Sequence, residues 1–327
     1  MTSSSRTLVV APYVGEFGWE LMNWQGRMRW VMANGRYERV ILVARPDRCE
    51  MYLRSVGHSS VAFRSCDELQ LLGHANEDHR VDSEGTTVPV ELLIASVRAA
   101  TQLACGELVR DWDDTDILMP PFDSTMWPTS GRYQRFVSLR SQTAITTDVV
   151  LIPRTRTLAD ERNQPQSWWD DLAVRLRALG LRVETYVSNV DRAIRQLSGA
   201  RLAIGASTGG LHLASLCECP HYVWGCGPEA RWTRLGMTNR QRYETVWNPL
   251  GTPCRYDECG WQPSVEHVVR QTLLALKRIG LREGAASLER SKGAGWLMRR
   301  GLSRLMEPNS TNVLPWRLKR LIVKHMV

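Results

Sequence analysis

Between residues 148 and 225 short runs of β-branched apolar residues alternate with stretches of helical spacing, and the joints between them are short. DVVLIP (148–153), LRVETYV (181–187), RLAIG (201–205) and HYVWG (221–225) read as strands, whereas SWWDDLAVRLRALG (167–180), VDRAIRQLS (190–198) and LHLASLC (211–217) read as helices. In the first of these helices Ser167 is the predicted N-cap, Asp170 and Asp171 sit in the first turn, and Gly180 is the stop. Strands joined through helices return to the same end of a sheet before the next strand begins, so they pair in parallel through right-handed crossovers. The segment therefore predicts a parallel sheet covered by helices.

The first half carries the same elements more sparsely. TLVVAPYV (7–14) is a strand candidate ended by Gly15 and Gly18, with helical spacing onward to Ala33. ERVILVA (38–44) and SVAFR (60–64) are further strands, and 88–111 reads as a long helix. Residues 111–147 lose periodicity and collect Pro120, Pro121, Pro128 and Gly131, which predicts an interdomain boundary. A length of 327 residues, with 43% hydrophobic and 23% charged content, excludes one small module and a globally disordered chain. The expected division is 1–140, 141–284 and a tail over 285–327.

No apolar run approaches the ~18 residues of a spanning helix, and MTSSSRTLVVAPYVGE has no long apolar stretch before its first acid. The chain is expected to be neither spanning nor exported, and eight scattered cysteines suit a reducing cytoplasm. Cys217, Cys219, Cys226, Cys254 and Cys259 lack the paired CxxC spacing of a structural zinc site, so they read as free thiols.

The most informative run is Gly205-Ala-Ser-Thr-Gly-Gly-Leu-His, where strand RLAIG passes into a helix. Ligands of open α/β sheets bind at the carboxyl ends of strands, and a helix N-terminus offers free N–H groups and a positive dipole end to phosphate. Ser207, Thr208, Gly209 and Gly210 are thus the candidate phosphate-binding residues, although a tight turn that binds nothing reads the same way. Neither GxGxxG nor GxxxxGK[ST] is present, which removes support for NAD-dependent and P-loop chemistry.

The run IGASTGGLHLASLCECPHYVWGCGPEARW resembles the donor-binding segment of the heptosyltransferases and related GT-B glycosyltransferases, with Thr208, Gly209, His212, Ala214, Gly227 and Pro228 in the matching places. CRYDECGWQPSVEHVVRQTLLAL is similar to that family's two cysteines and closing helix. The family's aspartate is Ser207 here, and the resemblance covers roughly residues 148–278. It implies an α/β fold of two Rossmann-like domains facing a cleft, a nucleotide-sugar donor, an acceptor glycan or lipid-linked acceptor, and inverting transfer without metal or other cofactor.

In the same family a Gly-Asp follows the first strand, and Gly15-Glu16 stands there in VGEFGWEL. A carboxylate at that place takes the acceptor hydroxyl proton as the oxygen attacks the sugar carbon. Glu16 is the candidate base and Glu20 its alternate; an acid favoured by the helix dipole fits Glu16 equally. Arg154, Arg156 and Arg162 follow strand DVVLIP and could answer the charge of a leaving diphosphate, Arg154 first among them. His212 reads either as a donor contact or as a packed core histidine, and the Asp-x-Asp of DWDDTD (111–116) as a solvated loop. Trp19, Trp24 and Trp30 could stack on acceptor sugars, with core packing the default for each.

The net charge of +8 is concentrated at the end: residues 285–327 hold nine basic and two acidic residues, a net +7. Over 296–307 the apolar Leu297, Met298, Leu302, Leu305 and Met306 fall opposite Arg299, Arg300 and Arg304, the pattern of an interfacial helix. The tail is expected either to rest on an anionic membrane surface or to close the first domain. The enzyme would then be cytoplasmic, on the inner membrane face, serving cell-surface polysaccharide or glycolipid synthesis. A GT-B-like transferase of another group, pyruvyl or sialyl, and a non-catalytic basic nucleic-acid-binding protein are the competing readings. The last has no recognition motif and no charge beyond the tail, so nucleic acid is not an expected partner.

Overall fold

The computed structural model describes residues 6–54, 60–66, 89–120, 133–155, 160–227, 231–232 and 237–291. The chain divides into two compact units: Met1–Leu139 with Asn189–Asp191, and Arg140–Ser188 with Arg192–Val327. In the first, β1 (Thr7–Val10), β2 (Arg39–Ala44), β3 (Val61–Ser65) and β4 (Thr115–Leu118) form a sheet in the order β3-β2-β1-β4, parallel at every pairing. Helix α1 (Phe17–Trp19) passes through a π-helical turn (Glu20–Trp24) into α2 (Gln25–Asn34); α3 (Cys49–Leu53) follows a 3-10 turn at Pro46–Arg48, and α4 (Val90–Cys105) comes before β4. Val9, Ile41 and Val43 of the sheet and Leu93 and Val97 of α4 share one core.

The second unit holds β5 (Thr147–Ile152), α5 (Gln166–Ala178), β6 (Val183–Thr185), α6 (Val190–Ser198), β7 (Ala200–Ala206), α7 (Gly209–Leu216) and β8 (His221–Trp224). A short antiparallel pair, β9 (Arg231–Trp232) and β10 (Met237–Thr238), precedes α8 (Asn239–Glu244), β11 (Cys254–Asp257) and α9 (Val265–Ser291). The sheet runs β11-β8-β7-β5-β6, again wholly parallel. Every residue of β5 is buried, as a strand covered on both faces requires. Trp169, Leu172 and Leu176 of α5 and Val268 and Leu276 of α9 pack on Leu151, Leu202, Ile204 and Trp224.

Four local readings change. Helix α5 starts at Gln166 with Pro165 at the N-cap, whose missing N–H and fixed φ suit a helix start, so Ser167 lies inside the first turn. Gly180 does stop the helix, at φ +81°. Strand β4 stands inside the stretch read as loop, because four half-buried residues, TDIL, give no two-residue alternation to detect. The first helix is also interrupted by the π-helical turn, which leaves no period a sequence scan would catch. Helix α9 runs through residue 285, where the tail was expected to begin, and 292–327 with its amphipathic segments lies outside the described residues. No helix among the described residues is long and apolar enough to cross a membrane.

Candidate functional site

Each sheet has one place where consecutive connections leave in opposite directions. In the second unit β6 lies on one side of β5 and β7 on the other; in the first, β2 and β4 flank β1. The loops that leave the carboxyl ends of strands at such a switch part company and open a crevice, the usual ligand site of an open α/β sheet. Ser207–Gly210 and Arg154 leave β7 and β5 at one of these points, and Glu16 follows β1 at the other.

At the β7 end, Ser207 and Thr208 lead into α7 with Thr208 as N-cap, making no side-chain cap bond. The amides of Leu211 and His212 turn back to the Thr208 carbonyl at 3.0 and 3.4 Å, while those of Gly209 and Gly210 precede any intrahelical partner. A Cβ on Gly210 would meet Ile152 Cγ2 at 2.7 Å, and one on Gly205 would meet the Ile152 carbonyl at 2.7 Å. Both glycines are thus required by close packing against the end of β5, a reason that holds whether or not phosphate is bound.

Side chains from distant segments converge on this loop. Arg162 donates Nη2 to the Ser207 carbonyl at 3.1 Å and lies over the Trp261 ring at 4.1 Å. Tyr243 donates its hydroxyl to Ser207 Oγ at 2.9 Å. Arg242 covers Trp247 at 4.1 Å, and burial pushes its guanidinium down to about 10, so it remains charged at neutral pH. His212, 6% exposed, packs against Trp247 and Tyr243 at ring distances of 4.7 and 5.4 Å. Arg154, preferred on sequence grounds, is 2% exposed and gives Nη1 to Asn163 Oδ1 at 2.6 Å, whereas Arg162 touches the helix-start loop itself. Arg156 lies outside the described residues, as does Pro228. Tyr243, Arg242, Trp247 and Trp261 escaped the sequence reading, since only the fold brings these segments to Ser207.

In the first unit Glu16 is half-buried at the start of α1, with extended backbone (φ −62°, ψ 130°), and its carbonyl receives the Trp19 and Glu20 amides at 3.0 and 3.2 Å. Glu20, four residues on, sits in the π-helical turn and is 4% exposed. Its two oxygens are both engaged: Arg48 Nε donates to Oε2 at 3.2 Å and the Tyr52 hydroxyl to Oε1 at 3.0 Å. Burial works against the Arg48 charge, but Glu20 and Asp47 outweigh it and raise its pKa. Burial, then Glu20 and Glu16, push the Tyr13 hydroxyl far up. Glu20 is built as a structural partner, and Glu16 is the carboxylate of the two with the greater exposure.

Other candidates resolve more simply. Trp168 and Trp169 pack on Trp224 at 5.7 and 5.8 Å, Trp24 is buried, and Trp30 meets Tyr133 edge-on at 5.1 Å. Asp116 of the acidic run lies in β4 and pairs with Arg6 at 2.5 Å, while Asp111 accepts the Asp113 amide at 2.9 Å. All eight cysteines are free thiols. Cys259 groups with Asp257 and His267, whose ligand-type atoms lie within 4.8 Å of one another. His267 Nε2 faces Asp257 at 2.7 Å and its Nδ1 faces the Arg270 guanidinium at 3.2 Å. A donor at Nδ1 assigns the proton to Nε2, the nitrogen a metal would need bare.

No protein-family model matches the sequence, and no curated protein does. Among solved structures, E. coli heptosyltransferase WaaC with ADP is similar at 11% identity and a TM-score of 0.45, covering 83% of this chain and 99% of that one. E. coli ADP-heptose LPS heptosyltransferase II gives 11% identity and 0.45 over 84% and 99%. A glycosyl transferase family 9 protein from Veillonella parvula gives 10% and 0.43 over 85% and 99%. In motif and in structure alike, the chain resembles glycosyltransferases of the heptosyltransferase kind.

Proposed function

We propose that the chain transfers a sugar, with inversion and without a metal ion, from a nucleotide-sugar donor to an acceptor hydroxyl in cell-surface polysaccharide or glycolipid synthesis. The observation that carries this reading is the start of α7 at the β5/β7 switch, where unpaired first-turn amides, the Ser207 loop and Arg162 meet. Positive dipole and guanidinium together suit the diphosphate of a leaving nucleotide. In this reading residues 1–140 serve the acceptor, 141–284 hold the donor, and Glu16 takes the acceptor proton. Ser207, Thr208, Gly209 and Gly210 cradle the diphosphate, His212 backs the loop, and Arg154 and Arg156 join Arg162 in answering its charge. Thermal-shift screening of UDP, GDP, CDP, ADP and dTDP with their sugar conjugates tests it, because a ligand bound only by the folded state raises stability by ~2.7 kcal/mol at 100 times its Kd. One base should raise Tm, equally with and without EDTA. No shift from any nucleotide removes the reading, and a shift that vanishes with EDTA removes its metal independence.

The tail belongs to the same proposal. A net +7 over 285–327 is worth ~1 kcal/mol per cation near an anionic leaflet, enough for salt-sensitive attachment when joined to apolar faces. The full chain should float with anionic liposomes at low salt and be released at high salt, and a chain ending at Ser291 should stay folded and unbound. Unfolding on truncation, or full-length protein that ignores the liposomes, assigns the tail to the fold.

A further inference from the structure

Helix α9 has two working faces. Val268, Ala275 and Leu276 turn inward and join the core of the second unit. A second stripe recurs every three or four positions, at Glu266, Val269, Arg270, Leu273, Leu274 and Lys277, and lines an open depression together with Leu179 from the end of α5. Leu179, Leu273 and Leu274 are 53%, 40% and 43% exposed. Single apolar side chains on a surface are ordinary, but several that meet within a charged rim mark a place where something docks.

The order of the stripe says what docks there. Its spacing is the same read from either end, so a second copy laid antiparallel about a two-fold axis meets it position for position. Val269 then faces Leu274 of the second copy, Arg270 faces Leu273, and Glu266 faces Lys277, each contact made twice. Neither Glu266 nor Lys277 is in an ion pair among the described residues, and Arg175, which feels the Glu266 charge, is held by Asp171 at 2.9 Å. The Arg270 guanidinium is turned back toward His267 Nδ1 at 3.2 Å, which leaves its methylene stem to the apolar contact. An anionic bilayer would leave Glu266 facing like charge, and the basic tail would crowd more cations onto Arg270 and Lys277. A second copy gives Glu266 and Lys277 alike an opposite charge.

We propose that two copies of this chain pair antiparallel through the outward face of α9, with Glu266 and Lys277 setting the register. The inference is independent of the nucleotide-sugar reading. A contact limited to about three turns of helix is smaller than the ~800 Å² per partner of a standard interface, so the dimer is weak and depends on concentration.

Sedimentation of the full chain without lipid, over roughly 1–100 µM, should show the mean mass rising from monomer toward dimer. Leu274→Glu, on the outward face where folding is not at stake, should weaken the dimer at least ~tenfold with Tm unchanged. Glu266→Lys and Lys277→Glu each set two like-charge pairs across the axis and should each weaken it ~fivefold or more. The chain carrying both reversals should return to within ~threefold of wild type, because the two charges have only changed places. A wild-type chain that stays monomeric throughout overturns the proposal and leaves the face to the tail or to a bilayer. A dimer that survives Leu274→Glu uses another surface, and two reversals that fail to compensate each other remove the antiparallel register; either result overturns it as well.

Discussion

Replacing Glu16 by glutamine should cut turnover by ~10²–10⁴-fold, the usual contribution of a general base, while donor affinity and Tm stay near wild type. The structure separates these effects. Glu16 makes no side-chain cap bond at the start of α1, so its carboxylate is not the group that begins the helix, and the isosteric amide keeps its shape. It stands after β1 at the switch point and is half-buried. On the proposed role, loss of the negative charge removes the proton acceptor. Release of nucleoside diphosphate from the donor found by thermal shift, followed against acceptor, gives the number. Near-normal turnover in the variant would sink the assignment.

Glu20→Ala should act on the fold. Removing one member of a buried ion pair strands the other, and such changes cost ~3–5 kcal/mol. Here Arg48, whose side chain is 7% exposed, is left with Asp47 as its carboxylate partner at 2.5 Å, and the Tyr52 hydroxyl loses its acceptor in the same step. For a unit of this size the loss corresponds to a fall in Tm on the order of 10 °C. Exchanging the whole set for apolar residues of similar volume should recover most of it, because no uncompensated charge then remains inside. A Glu20→Ala protein with wild-type melting but no turnover reverses the roles of Glu16 and Glu20.

Strand and helix alternation in the second half was legible because each element is long enough to show its period and each is punctuated, as Gly180 shows at φ +81°. Strand β4 was hidden, since TDIL pairs with β1 through backbone and carries no pattern of its own. The loop proposed for diphosphate could be picked out at Ser207–Gly210, where glycine and hydroxyl residues sit at a strand-to-helix joint. Its aromatic and cationic surroundings could not. Tyr243, Trp247 and Trp261 lie 36 to 54 positions further along the chain than Ser207, and nothing local in WNPLG or ECGWQ announces where they go.

The parallel order of the first sheet also governs how the chain must acquire its shape. Strand β1 pairs with β2 in the register Thr7↔Arg39, but its other edge waits for Thr115. At synthesis rates of roughly 5–20 residues per second, that edge stays open for on the order of ten seconds. Its row of unpaired N–H and C=O groups and the apolar Leu8, Val9 and Val10 are then available to any passing strand. Closing a ring of that size before any pairing rewards it makes this a slow, non-local folding step. Refolding yield at high protein concentration should therefore depend on how quickly residues 115–118 reach β1, and a variant that weakens β4 should aggregate during folding before it loses stability once folded.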